Sequence, residues 1–356
     1  MMISYPGLSK LRTKPVLYEN VFSASDSGTL EQLKELSSKR KAIEDSINES
    51  SFITEAIARE MSGGLTSRCE QDIQKLECYL PLLENLVHHI NSNGKNRQVD
   101  DMYFELGMTL FLYGALIREQ ALEVLSSDMV QSATLFRKAA GVYSYLAQQV
   151  FNNLSWTQER PPEATPSVSS VMSLICLAEA QAVTAKKAEE NGNTGGLLAK
   201  LHCGVKEFMV EAINILQVAT KECKDVPSRL LDFMLSCRTL HESMSYKYLV
   251  QGLKNDGKIG MAIGYLRWAV ANAKQNVPKD ESWKLVYKQV IDDLTGLLQK
   301  YEHENEFVWH EKVPFYDELP LPLQQAWTAL LGGSSVCLSE FFLAQILLLE
   351  RGADIE

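Results

Sequence analysis

Apolar residues recur at three- and four-residue steps through almost every long segment of this chain. From Leu201 onward, Leu201, Val205, Phe208, Met209, Ala212, Ile213 and Leu216 fall on one stripe of a helix of about five turns. Similar stripes run over Leu76–Ile90, Tyr103–Leu125, Ala133–Val150, Val171–Ala188, Leu230–Leu253, Ile259–Ala273 and Trp283–Phe307. The alternation that marks strands is confined to a short expected β element near Val16 to Val21. The pattern predicts an all-α fold.

The breaks between stripes are short and carry stop chemistry. Asn191-Gly192-Asn193 and Asn255-Asp256-Gly257 supply residues that tolerate positive φ, Asp280 is placed to cap a helix, and Val226-Pro227 and Val277-Pro278 interrupt helices. Successive helices should therefore pack antiparallel as a solenoid. Small residues inside the stripes (Ala139-Ala140-Gly141, Ala178, Ala180, Gly264, Ala269) let neighbours approach closely, as in tetratricopeptide-like pairs. A TPR-like middle with longer flanking helices follows. The Pro-rich stretch Asn152–Ser169 reads as a surface loop, and Glu31–Met61 as an amphipathic helix or pair whose Lys39-Arg40-Lys41 run forms a solvated face. The expected organisation is an extended segment over 1–30, one helical domain over 31–320 and an atypical tail over 321–356.

Composition narrows the function. Hydrophobic residues at 46% and charged residues at 22% suit a chain with a large core, while a formal net charge of −10 argues against sequence-independent nucleic-acid binding. Met1–Pro15 has no apolar run before a cleavage site, and the seven cysteines are dispersed without a Cys-x-x-Cys pair, so reduced thiols in the cytoplasm are expected. His88 and His89 adjoin, and neighbours on a helix point about 100° apart, too far to share one metal. His202-Cys203 and Trp309-His310-Glu311 contain residue types found in nucleophilic sites but have no oxyanion hole or orienting group around them. The pairs Gly63-Gly64, Gly195-Gly196 and Gly332-Gly333 lack the strand-loop-helix context of a phosphate cradle. No enzyme activity, cofactor or metal is expected.

Five segments in order carry a resemblance. They are Phe104-Glu105-Leu106-Gly107 with Leu110-Phe111; Ala139-Ala140-Gly141-Val142-Tyr143; Ile175-Cys176-Leu177-Ala178-Glu179-Ala180-Gln181 with Leu197-Leu198-Ala199-Lys200-Leu201; Lys258-Ile259-Gly260 through Leu266; and Phe307-Val308-Trp309-His310-Glu311-Lys312-Val313-Pro314. Together they resemble the Bro-one domain family, the Alix-like endosomal-sorting adaptors, and this chain looks like a short, stand-alone member. The resemblance implies a curved, boomerang-like helical domain. Its concave surface would receive the C-terminal amphipathic helix of an ESCRT-III subunit and recruit a cytoplasmic adaptor to endosomes. The family pocket uses one aromatic and two aliphatic residues. The aliphatics fall on Leu197 and Leu201, which at helical spacing also suit an inter-helix core, and the aromatic falls on Thr184. An aromatic anchor contributes about 1–3 kcal/mol, so Thr184 weakens this site. Near the pocket the family's acid-base pair is reduced to Asp128. A TPR-like scaffold for an unrelated peptide is the alternative.

At the exit of the domain, Phe307 and Trp309 are expected to pack into the solenoid before Pro314 turns the chain away, with His310-Glu311 hydrogen-bonded to fix its path. On that reading Trp309→Ala costs about 3–5 kcal/mol. The chain ends Gly352-Ala353-Asp354-Ile355-Glu356 without a prenylation box, so membrane association would be peripheral. The apolar run Ser339–Leu349 is too short to span a bilayer and is expected to dock on the body.

Overall fold

The computed structural model describes residues 13–50, 67–92, 97–151, 161–219 and 225–319. Among these the chain forms α1 (Tyr18–Val21), α2 (Ser27–Ser50), α3 (Arg68–Ser92), α4 (Arg97–Val124), α5 (Met129–Tyr145), α6 (Pro166–Glu190), α7 (Gly195–Val218), α8 (Ser228–Asn255), α9 (Ile259–Gln275) and α10 (Glu281–Glu304). Single π turns extend α5 over Leu146–Val150 and α10 over Asn305–Trp309. The tail 321–356 lies outside the described residues.

No strand forms among the described residues. Val16–Val21 becomes a helical turn because a lone strand has no neighbour to complete its backbone bonds, whereas here the Tyr18 amide donates to Ser37 Oγ (2.8 Å) and its hydroxyl meets that of Tyr79 (2.5 Å). The loop after α5 is also shorter at its far end than its prolines suggest. Thr165 caps α6 by accepting from the Val168 amide (3.3 Å), and Pro166 at the first helical position lacks only an amide that would have no intrahelical partner. The turns after α6 and α8 follow their sequences: Gly192 and Gly257 take φ of 70° and 73°, and the Asn193 and Lys258 amides reach back to the carbonyls of Ala188 (3.1 Å) and Leu253 (2.8 Å).

Two large apolar cores share α6, which also lends Ala180 and Val183 to a smaller cluster with Ala121 and Phe136. Toward the N-terminus Tyr18, Tyr79, Leu83, Ile117 and Phe151 pack with Cys176; toward the C-terminus Val171, Leu174 and Ala178 join Leu201, Phe233, Ile263 and Tyr287. This central position explains why α6 is the one described helix long and apolar enough to cross a membrane by composition: 67% of that stretch is buried inside the protein. Burying a helix on most sides brings polar groups inside, and its buried carboxylate is paired. Glu179 accepts two hydrogen bonds from the Arg118 guanidinium of α4 (2.7 and 2.5 Å), with the two side chains 3% and 6% exposed. Arg40 departs from the solvated run expected for it. It is buried and pairs with Glu105 of α4 (2.5 Å), tying α2 to the body, while Lys41 stays in water.

His202 of α7 and His241 of α8 share one hydrogen bond, Nδ1 to Nδ1 at 2.9 Å, and the His202 ring stacks on Tyr248 (5.6 Å, 1°). Burial lowers His202 from 6.5 to about 4 and holds His241 well below its ordinary value, so both are neutral in the folded protein. A histidine whose pKa is lowered on folding costs stability as pH falls, because only the unfolded chain takes up the proton. Between pH 6.5 and about 4, wild type should lose on the order of 3 kcal/mol relative to a His202→Gln variant, read from urea unfolding at each pH. Parallel profiles for the two proteins would show that His202 is not held neutral.

Candidate partner-binding face

On α6 the partly exposed positions Ser170, Ser173, Leu177, Thr184 and Lys187 form one stripe at helical spacing. Helices α5 and α7 bound it: Ser173 Oγ donates to the Ala140 carbonyl (2.9 Å) and Gln181 Nε2 to the Leu201 carbonyl (3.3 Å). Thr184 spends its hydroxyl on the Ala180 carbonyl one turn back (2.9 Å), which leaves its methyl as the group available to a partner. The Gln181–Leu201 bond, the turn at 191–194 and the antiparallel course of α7 set the start of α7 beside Thr184, and there Leu197 is half-buried and Lys200 exposed.

Leu201 does not line an open groove. It is 3% exposed and packs in the C-terminal core, whereas Leu197, one turn earlier on the same side of α7, lies at the edge of that core near the start of the helix. Asp128 is likewise engaged: as N-cap of α5 it accepts from the Val130 and Gln131 amides (2.9 Å each). Helix α8 carries a partly buried stripe of its own. Leu231, Leu235 and Leu249 are partly buried at helical spacing, and between them Glu242 accepts from Asn272 of α9 (3.2 Å) close to Lys206 and Arg238. Burial pushes the Glu242 carboxyl up, opposed by those two cations. Their signal was present as a leucine stripe, but a stripe alone does not say which side of a helix a neighbour covers.

The exit segment is built differently from expectation. The core stripe of α10 runs Trp283, Tyr287, Val290, Leu294 and Tyr301, steps of three, four and seven that leave Phe307 and Trp309 out of register. The π turn then inserts a residue, and Phe307, Val308 and Trp309 stand 64%, 68% and 44% exposed. An indole that keeps this much surface does not carry the full burial energy expected of it. Geometry, not aromatic burial, fixes the exit. His310 turns the chain with φ 56° and donates its amide to Asn305 O (2.8 Å); the Asn305 side chain clamps Glu311, accepting from its amide and donating to its carbonyl (2.9 Å each). The Glu311 carboxylate then accepts from the Gly260 amide (2.7 Å) in the first turn of α9, so Glu311 and not His310 makes the side-chain bond that holds the path.

From there the chain runs as a strap along α9. A Cβ at Gly260 would lie 2.4 Å from the Lys312 carbonyl, so this position must be glycine for the strap to lie this close, and one at Gly264 would lie 3.0 Å from the Pro314 carbonyl, a tight contact that the strap would have to yield to. At the next step of four, Trp268 stacks on Tyr316 (4.6 Å, 11°). Pro314 is half-buried within the strap.

Among the described residues no group of His, Cys, Asp or Glu could hold a metal ion, and His88 and His89 are both exposed. Cys176, Cys203 and Cys237 are buried, and burial pushes their thiols up, away from the reactive thiolate. Among the described residues the molecule is thus a helical solenoid with a partly apolar open stripe on α6 and α7 and a strap along its penultimate helix. It belongs to the BRO1-like domain family, whose profile matches residues 83–330. Programmed cell death 6-interacting protein of Xenopus laevis is 26% identical over 222 residues, 61% of this chain and 24% of that protein. The BRO1 domain-containing protein BROX homolog of Caenorhabditis elegans is 24% identical over 213 residues, 56% of this chain and 48% of that protein. The chain therefore spans about a quarter to a half of the length of these relatives. Among solved structures, one described as an ALIX BRO1 CHMP4C complex matches with TM-score 0.66 and 18% identity, covering 87% of this chain and 90% of that one. One described as the structure basis for endosomal targeting by the Bro1 domain matches with TM-score 0.63 and 16% identity, covering 91% and 94%. These likenesses establish the curved helical fold.

The segments that carry the resemblance now have physical roles. Glu105 holds Arg40, Ala140 receives Ser173, Glu179 pairs with Arg118, Gln181 bridges to α7, and Gly260 admits the strap.

Proposed function

We propose that this chain is a non-enzymatic adaptor of endosomal sorting, in the multivesicular body pathway, that binds the amphipathic C-terminal helix of an ESCRT-III subunit across the open face of α6 and α7. The observation that carries this reading is the half-open stripe of Leu177, Thr184 and Leu197 on a fold whose structural neighbour is described in complex with CHMP4C. A helix laid in such a groove contributes an apolar residue every three or four positions, and Leu177 and Thr184, two turns apart on one side of α6, run parallel to such a stripe. The protein would be cytoplasmic and reach endosomes through this partner. The absence of a metal cluster among the described residues is compatible with a binding role.

Calorimetry with synthetic C-terminal helices of the ESCRT-III subunits tests the proposal. Leu197→Asp should abolish binding while leaving the melting midpoint near wild type, since Leu197 is only half-buried at the edge of the core. Thr184→Phe should tighten binding about tenfold by restoring an aromatic anchor. No measurable binding by wild type or by Thr184→Phe to any of these helices sinks the assignment.

A further inference from the structure

The exposed aromatic turn at the end of α10 is independent of that partner site. Phe307, Val308 and Trp309 stand out of the body at 64%, 68% and 44% exposure, and Phe315 on the strap is 79% exposed. The turn that carries them is held rigidly by the Asn305–Glu311 clamp and the Glu311–Gly260 bond. Four exposed apolar side chains on one short, firmly held segment mark a candidate contact site.

Its surroundings identify the occupant. The strap ends at Leu319, whose side chain lies 3.1 Å from the Cβ position of Gly264, so the chain leaves the body four residues after the exposed Phe315. From Pro320 to Ser339 it then carries no Asp, Glu, Lys, Arg or His, in a protein that is otherwise 22% charged. Within that stretch Leu323, Trp327, Leu330 and Leu331 follow Pro322 at steps of four, three and one, the pattern of one helical face. The BRO1-like match also continues to residue 330, so this stretch belongs to the domain in sequence.

We propose that the segment Leu323–Leu331 docks on Phe307, Val308, Trp309 and Phe315 of the same chain. Tethering a few residues away raises the effective concentration of the segment at this surface to the millimolar range, which favours it over a second copy at ordinary protein concentrations. A bilayer is a poorer occupant. Glu306, Glu311, Asp317 and Glu318 outnumber Lys258 and Lys312 around the aromatics, which disfavours an anionic lipid surface but does not oppose an uncharged segment.

Hydroxyl-radical footprinting of the full chain reads this directly. In a Trp327→Asp, Leu330→Asp variant, Phe307 and Trp309 should oxidise about threefold faster than in wild type as the cover is lost, with the buried Trp283 unchanged as the internal control for folding. Reciprocally, Phe307→Ser, Trp309→Ser should speed proteolytic cleavage between residues 320 and 331, which decides the matter even if the tail variant misfolds. Equal oxidation and equal cleavage in wild type and variants overturn the proposal. So does Trp309 becoming exposed on dilution of the wild type, with sedimentation showing a dimer, which assigns the surface to a second copy. Protection of Trp309 only by phosphatidylserine vesicles overturns it in favour of a membrane.

Discussion

Leu201→Asp should abolish folding of the C-terminal half of the solenoid. Removing the side chain alone, as in Leu201→Ala, is expected to cost about 2–5 kcal/mol, and a carboxylate at a position 3% exposed among Val205, Phe208 and Phe233 has no partner to offset its desolvation. The denaturant midpoint of Leu201→Ala and the soluble yield of Leu201→Asp measure this. The comparison with Leu197→Asp carries the weight, because both leucines match the family pocket in sequence while only one is accessible. A Leu201→Asp protein that melts like wild type and loses only its partner would return Leu201 to the groove.

Glu179→Ala is expected to destabilise the domain by about 3–5 kcal/mol, because it leaves the Arg118 guanidinium buried between α4 and α6 without its carboxylate. Replacing both members, as in Arg118→Met with Glu179→Leu, should recover much of that loss, since the pair's attraction is largely offset by the desolvation of its two charges. Equilibrium unfolding of the two single variants and the double variant gives the coupling. If Glu179→Ala unfolds at the wild-type midpoint, the pair is not the buried link described above.

These outcomes follow from how much of the protein can be read locally. The helices and the turns between them were legible because their determinants lie within a few residues: the stripe from Leu201 to Leu216, the positive-φ glycines at 192 and 257, the cap at Asp280. Family membership was legible for the same reason, since residues such as Glu179 and Gly260 occupy fixed places in continuous segments. What those residues do was not. Arg40 sits in a run of cations but pairs with Glu105, sixty-five residues away, and the two histidines that share a proton belong to different helices.

The candidate site shows the division most sharply. Periodicity assigns Leu197 and Leu201 to one helix and gives both the character of a groove or a core; only the packing of α7 against α6 buries the second and leaves the first at the edge. The aromatic exit was marked by its sequence as unusual, yet whether its rings faced inward depended on a π turn and on a clamp between Asn305, Glu311 and Gly260. By itself the sequence determined a predominantly helical chain, most of its helices and turns, and its family, because hydrogen bonding within helices and turns is local. The tertiary structure alone decided which faces stay open, since burial is a property of the neighbours that long-range packing brings to each stripe.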